Sequence, residues 1–286
     1  MSERTEGHDI LLMTDSTSDI PPELMERYDI KHVPLYVLWG DEQLRDGVDI
    51  DNATFYSRIT NDPIHPKTSQ PTPADFVAAI KATGAREVVI ITISSALSGT
   101  YTSAVAAQEL LDIPVHVFDS LSTSMGLGWQ VLAAARAREE GADAAGMLAA
   151  ASAVQGTVSV HFTVDSLEYL YRGGRIGGAA KLLGTALQLK PLLCIDPADG
   201  RIDAVERTRT RRKAMRRVVE VTMEKVDCSK PVRVGLMHAS APEDAKKLYD
   251  VIQRIYSPVE MTISEIGPVL GTHGGPGLVG VCACNA

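Results

Sequence analysis

The chain has 286 residues, 45% of them hydrophobic and 22% charged, and a formal net charge of −8 at pH 7. It is long enough to bury a sizeable core in one large domain or two modest ones, and too acidic for a general nucleic-acid binder, whose affinity comes mostly from neutralised phosphates. No apolar run reaches the roughly 18 residues of a membrane span, the N-terminal MSERTEGHD is not signal-like, and four scattered cysteines (Cys194, Cys228, Cys282, Cys284) form no CxxC pair, so a cytoplasmic protein with reduced thiols is expected.

In the first half, strand-like runs alternate with helical patterns. ILLMT (Ile10–Thr14), KHVPLYVLW (Lys31–Trp39), EVVIITI (Glu87–Ile93) and PVHVF (Pro114–Phe118) read as strands. PPELMERY, TPADFVAAIKATG, SGTYTSAVAAQELL and GLGWQVLAAARAREEG between them read as helices. The alternation predicts βαβ units, and runs apolar on both faces fit buried parallel strands. An alanine-rich helix over Ala142–Ala153 precedes a new strand in VQGTVSVHFTV, which puts a domain boundary near Gln155–Gly156. The expected division is an N-terminal α/β domain over 8–155 and a C-terminal one over 156–286. The second half then gives a hairpin arm in DGRIDAVERT, a helix from about Arg211 to Val226, strand PVRVGLMHA, helix PEDAKKLYDVIQRIY and strand VEMTISEIG.

Ligands of open α/β sheets gather outside the carboxyl ends of the strands, where helix N-termini also point. Here those ends are TDSTSD, SSALSGT and DSLSTSMG, rich in short hydroxyls and without an obvious general base. Any one Ser or Thr reads as a helix cap. Ser94, Ser95, Ser98 and Thr100 together exceed what one cap requires, and Gly99 permits close backbone approach. The surplus points to an anion held by hydroxyls and amides without a charged clamp. GxSxG, GxxxxGK[ST] and HExxH are absent, and GPGLVG (Gly275–Gly280) contains a proline and cannot open a dinucleotide-binding helix. The histidines show no HxH or HxxxH pairing, so no metal site is expected. His273, in EIGPVLGTHGGPG, is expected in an irregular loop, as a binding residue or part of an immobile turn.

Two further stretches are open to more than one reading. YLYRGGRIGGAAKLLGTALQLKPLL (Tyr169–Leu193) joins an Arg-Gly-Gly-Arg corner to an apolar segment that is either core or the lining of an apolar channel. RTRTRRKAMRR (Arg207–Arg217) has seven basic residues and no acid. Its continuation should bury Ala214, Met215, Val218, Val219, Thr222 and Met223 and turn Arg212, Lys213, Arg216 and Arg217 outward, as a solvated face or as a footprint for an acidic partner or phosphate.

LLMTDSTSDI, KTSQPTPADF, ISSALSGTYTSA, VDSLEYLYRGGRIG, LKPLLCIDPADGRI, RTRRKA and IGPVLGTHGGPGLVG occur in this order. With these motifs the chain resembles the DegV family of bacterial fatty-acid-binding proteins over nearly its whole length. The resemblance implies two α/β domains, an N-terminal parallel sheet with flanking helices and a mixed second domain, with the segment 267–280 returning to the site between them. It implies a bound long-chain fatty acid as ligand, no other cofactor, no nucleic acid and at most transient membrane contact. It also implies a non-catalytic subunit that presents the carboxylate to a separate ATP-dependent fatty acid kinase subunit, for acyl phosphate and phospholipid synthesis. By resemblance Thr68, Ser69, Ser95 and His273 fall at carboxylate-binding positions, with Ser94, Gly99 and Thr272 as further ligand contacts. Arg172, Arg175, Arg209 and Arg212 fall in the basic motifs, for the kinase or a phosphate. The rival reading is a serine hydrolase or acyltransferase using Ser95 or Ser98 with His273 as base.

Overall fold

The computed structural model describes residues 10–183 and 189–286. The chain runs through β1 (Ile10–Asp15), α1 (Pro22–Arg27), β2 (Ile30–Val33), β3 (Tyr36–Trp39), β4 (Glu42–Arg45), α2 (Asn52–Asn61), β5 (Lys67–Ser69), α3 (Pro73–Thr83) and β6 (Glu87–Thr92). It continues with α4 (Thr100–Gln108), β7 (Val115–Asp119), α5 (Met125–Glu139), α6 (Ala144–Gln155), β8 (Ser159–Thr163) and α7 (Glu168–Arg172). The last part comprises β9 (Lys190–Ile195), β10 (Ile202–Thr208), α8 (Arg211–Glu224), β11 (Val232–His238), α9 (Pro242–Tyr256), β12 (Glu260–Glu265), α10 (Pro268–Gly274) and β13 (Val279–Asn285).

Strands β2-β1-β6-β7 form a parallel sheet, and β10-β9-β8-β13-β11-β12 a mixed one in which only the β11–β12 pair is parallel. The α/β class and the parallel N-terminal sheet predicted from the sequence are both present. Helix α5 joins the two sheets. It touches β1 and β6 on one side and β11 and β13 on the other, and Met125, Leu127, Trp129, Val131, Leu132, Ala134 and Ala135 are all buried. An all-round apolar helix of this kind belongs in the middle of a core rather than on its surface. One hydrophobic cluster accordingly runs from β1 and β6 through α5 to β8 and β13.

Four local outcomes differ from the sequence expectations. The run Lys31–Trp39 is two strands, because Pro34 has no N–H to donate; β2 stays in the parallel sheet and β3 joins β4 and β5 in a small antiparallel one. Helix α2, capped by Asp51, which accepts from the Thr54 amide, has no counterpart among the expected elements. Strand β13 is buried at the centre of the mixed sheet although its sequence, VGVCACN, is made of small residues. Finally, His273 is not in an irregular loop: it lies on α10, which begins with Pro268, where a missing N–H costs nothing, and ends as Gly275 turns to φ 72°. Packing against α2 and α7 outweighs the poor helix propensity of its glycines.

Helix α8 matches its predicted facing except at Arg217, for which the sequence predicts an outward position. Ala214, Met215, Val218, Val219, Thr222 and Met223 are buried, Arg212, Lys213 and Arg216 are exposed, and Arg217 leans inward to Glu206 and Glu220.

Candidate functional site

Between the carboxyl ends of β6 and β7 and the face of the mixed sheet lies a cavity with about 830 Å³ of unfilled space, mouth included. The strands position its apolar part: Val160 and Phe162 share one face of β8, Ile195 comes from β9 and Met237 from β11, while His161, between the two, faces Thr222 of α8. The polar part is built from separate pieces: Thr68 and Ser69 at the end of β5, Ser98 before α4, Arg175 after α7, and His273 near the end of α10.

His273 Nε2 lies 2.8 Å from Thr68 Oγ1. Its Nδ1 is buried and has no hydrogen-bond partner among the described residues. Gly173 approaches there so closely that a Cβ would stand 2.0 Å from Nδ1, and one on Gly275 would stand 2.3 Å from the Tyr169 ring. These glycines therefore serve the packing of α7 against α10. Burial, and then the neighbouring Arg175 and His65, holds the His273 imidazole down to about 4, so it is neutral at pH 7. A neutral ring carries one proton. On Nε2 that proton is donated to Thr68 Oγ1 and leaves the threonine hydrogen free for an acceptor in the cavity; on Nδ1 it obliges the threonine to donate to the ring. Only the first tautomer makes Thr68 a donor toward a ligand.

Among the described residues lining the cavity, Arg175 is the one formally charged side chain. Its Nε and Nη1 donate to the carbonyls of Leu97 and Gly173 at 3.0 and 2.9 Å. Neutral carbonyls fix the guanidinium in place without cancelling its charge. The polar end thus combines hydroxyls with an immobilised cation, where the sequence pointed to hydroxyls and amides alone.

The cavity brings together Thr68, Ser69 and His273 from the expected carboxylate-binding set, and adds Gln70, Leu97, Ser98 and Ser124. Ser95 is exposed and outside the lining, because its amide donates to Asp119 Oδ1 and the turn directs the side chain outward. Ser94 is buried and accepts from the Ala96 amide. Gly99 packs against the Gln70 side chain, which does line the cavity. Thr272 is buried and donates to the Pro268 carbonyl within its own helix. Arg172 pairs with Glu168 beside His65 and Tyr169 in a small polar recess. Arg209 and Arg212 are exposed at the start of α8. Of the segment Tyr169–Leu193, Leu170 and Arg175 line the cavity, and residues 184–188 lie outside the described ones.

The serine-base pairing needed for acyl transfer is not formed: His273 engages Thr68, and Ser98 Oγ lies 2.9 Å from Thr100 Oγ1. Among the described residues no group of three or more His, Cys, Asp or Glu could hold a metal ion, and no helix is long and apolar enough to cross a membrane.

The segments after β1 and β4 bring two carboxylates, Asp19 and Asp46, next to the start of α10. Asp46, 2% exposed, accepts from the Ser16 hydroxyl at 2.7 Å and from the Val269 amide. Burial pushes Asp46 up to about 7. Between the ordinary value of 3.8 and about 7 the folded protein holds a proton that the unfolded chain has released, so this group lowers stability as pH rises through that window and adds no further change above it. Neutral His273 and His161, both held down to about 4, act in the opposite sense between 6.5 and 4, so a difference measurement is needed. The melting temperature of Asp46→Asn, taken relative to the parent, should rise from pH 5 to pH 8, by roughly 2–4 °C per ~1 kcal/mol of titration removed. A constant offset across that range would show that Asp46 is ionised throughout.

A family model described as an uncharacterised protein of the DegV family matches residues 9–286. A DegV domain-containing protein of Streptomyces coelicolor is 38% identical over 95% of this chain and 97% of its own length. A solved DegV family protein from Thermus thermophilus, described for its fatty acid binding, is 34% identical with a TM-score of 0.90, covering 97% of this chain and 99% of that one. DegV of Bacillus subtilis, described as a fatty acid binding protein, is 35% identical with a TM-score of 0.88 and the same coverage.

Proposed function

The chain belongs to the DegV family, and from that premise we propose that it binds a long-chain fatty acid in the cavity between its two sheets. The carboxylate sits at Thr68, Ser69 and His273 within the field of Arg175, and the tail runs along Val160, Phe162, Ile195 and Met237. Ser95, on the exposed rim, meets the carboxylate from the solvent side. The halves divide near Gln155–Gly156, and 267–280 returns from the second to the head-group end.

The observation that carries this reading is the polarity gradient of one cavity. A carboxylate entering an apolar tunnel loses water and needs several hydrogen bonds and a countercharge to offset that cost, and the Thr68–His273–Arg175 end supplies both. The rest of the lining is dominated by aliphatic and aromatic side chains, which suit a hydrocarbon. The protein acts as a binding subunit in the cytoplasm, without a catalytic site of its own. It hands the carboxylate to a separate ATP-dependent fatty acid kinase subunit, and the acyl phosphate feeds phospholipid synthesis. Arg209 just before α8, Arg212 on its outer face, and Arg172 in the polar recess beside His65 and Tyr169 are the contacts offered to that subunit or to phosphate.

Native mass spectrometry of the protein as purified tests the binding step. A noncovalent adduct with the mass of a long-chain fatty acid, lost on mild activation, is expected. A bare protein that also takes up no added palmitate would overturn the reading.

A further inference from the structure

Helix α10 is short, yet it carries His273, and the His273–Thr68 contact spans 205 residues of sequence. What fixes α10 in place is not its own propensity. The Gly267 amide donates to Asp19 Oδ1 at 3.1 Å, and the Val269 amide donates to Asp46. Gly267 lies against Asp46, where a Cβ would stand 3.3 Å from the carboxylate. Asp46 is held in turn by Ser16, whose Oγ also accepts from the amide of Leu35, a residue of the cavity lining. Asp19 receives the hydroxyl of Ser124, another lining residue. Each carboxylate therefore connects the start of α10 to a wall of the cavity. Val269 and His273 are four residues apart, about one helical turn, so displacement at the Val269 amide is transmitted to the imidazole.

The groups facing this pair are Asp15 from β1, Tyr56 from α2, which donates to the Ile266 carbonyl, and Glu265 from β12. Among the described residues no Lys, Arg or His pairs with Asp46, although Lys31 and His32 line the same outer pocket. Carboxylates gathered without a cation are costly to keep in a fold. Their retention here is explained if they serve the site.

We propose that Asp46, assisted by Asp19, is a positioning residue for the head-group site: it holds the start of α10 so that His273 reaches Thr68 and leaves the threonine hydrogen facing the cavity. The role rests on the fatty-acid reading above, but its geometry does not.

A double-mutant cycle with a second readout tests it. Asp46→Ala should weaken palmitate binding about tenfold, the worth of one hydrogen bond to a charged group. In a His273→Ala background the same change should cost less than about twofold, because the residue through which Asp46 acts is gone. In the unliganded protein, the His273 ring protons followed by NMR should titrate near 4 in the parent and move up toward the ordinary histidine range in Asp46→Ala, as the ring loosens. Equal losses in both backgrounds, or a His273 titration that stays put, would overturn the proposal. If the parent binds no palmitate, the fatty-acid reading fails and the NMR titration alone decides this one. If Asp46→Ala does not fold, Ser16→Ala, which frees Asp46 on its other side, takes its place in both measurements with the same expected directions.

Discussion

Val160→Trp should abolish high-affinity binding of sixteen- and eighteen-carbon fatty acids while leaving eight- and ten-carbon acids bound nearly as in the parent. Val160 lies on the cavity face of β8, two residues from Phe162 and further along the strand from β13's start at Val279, which pairs with Thr163 near the end of α10. In the proposed binding mode the tail passes it after leaving the head group. An indole there excludes about three or four methylenes of tail, and at ~0.8 kcal/mol each the loss is about 3 kcal/mol, or roughly a hundred- to two-hundredfold. A shorter tail never reaches the indole and loses little. Overpacking a core position costs about 1–3 kcal/mol of stability, so the variant's melting curve is needed alongside. Displacement titrations with acids of graded length give the ratio directly. A uniform loss at every length would indicate general disruption, and unchanged long-chain affinity would show that the tail does not follow β8.

Much of the scaffold beneath this site is legible in the sequence. Runs such as Glu87–Thr92 are apolar on both faces and become buried parallel strands, and the i, i+3, i+4 spacing of α8 gives all of its buried face but Val221. The site itself is only partly legible. That Thr68 and His273 matter follows from their motifs, but their contact depends on a helix whose glycines argue against it and whose start is held by Asp19 and Asp46. A lone aspartate in a loop carries no sign of a partner more than two hundred residues away. The choice among Ser94, Ser95 and Ser98 turns on one tight bend. The Ser95 amide bonds to Asp119, which sends its side chain out and leaves Ser98 inside. Residue type cannot report that direction. Arg175 reads as part of a basic corner, and only the carbonyls of Leu97 and Gly173 show that its guanidinium turns toward the cavity.

Arg175→Gln should weaken palmitate binding at pH 8 by roughly thirtyfold, about 2 kcal/mol, the lower end of what removing one partner of a hydrogen-bonded charge pair costs. The lower end is appropriate because Arg175 is only half-buried, so water screens part of the interaction. Glutamine retains a donor for the nearby carbonyls, so the corner should keep its shape and the melting temperature should change little. The missing charge leaves the bound carboxylate in apolar surroundings with hydroxyl donors alone, which raises its own pKa in the complex. The variant should then recover affinity as pH falls from 8 to 5, because the neutral acid no longer needs a countercharge. The parent should change less over the same range. His273 is held down to about 4 in the unliganded protein, so free-state protonation of this ring contributes little over that range. A second comparison removes the ligand's charge instead: the parent should prefer palmitate to its methyl ester, and Arg175→Gln should largely lose that preference while binding the ester as the parent does. Thr68→Val, by contrast, should weaken acid and ester alike, since a hydroxyl donates to either carbonyl oxygen. If Arg175→Gln keeps the parent's preference for acid over ester at pH 8, the carboxylate does not lie in the field of Arg175, and the head group must instead face the exposed rim at Ser95.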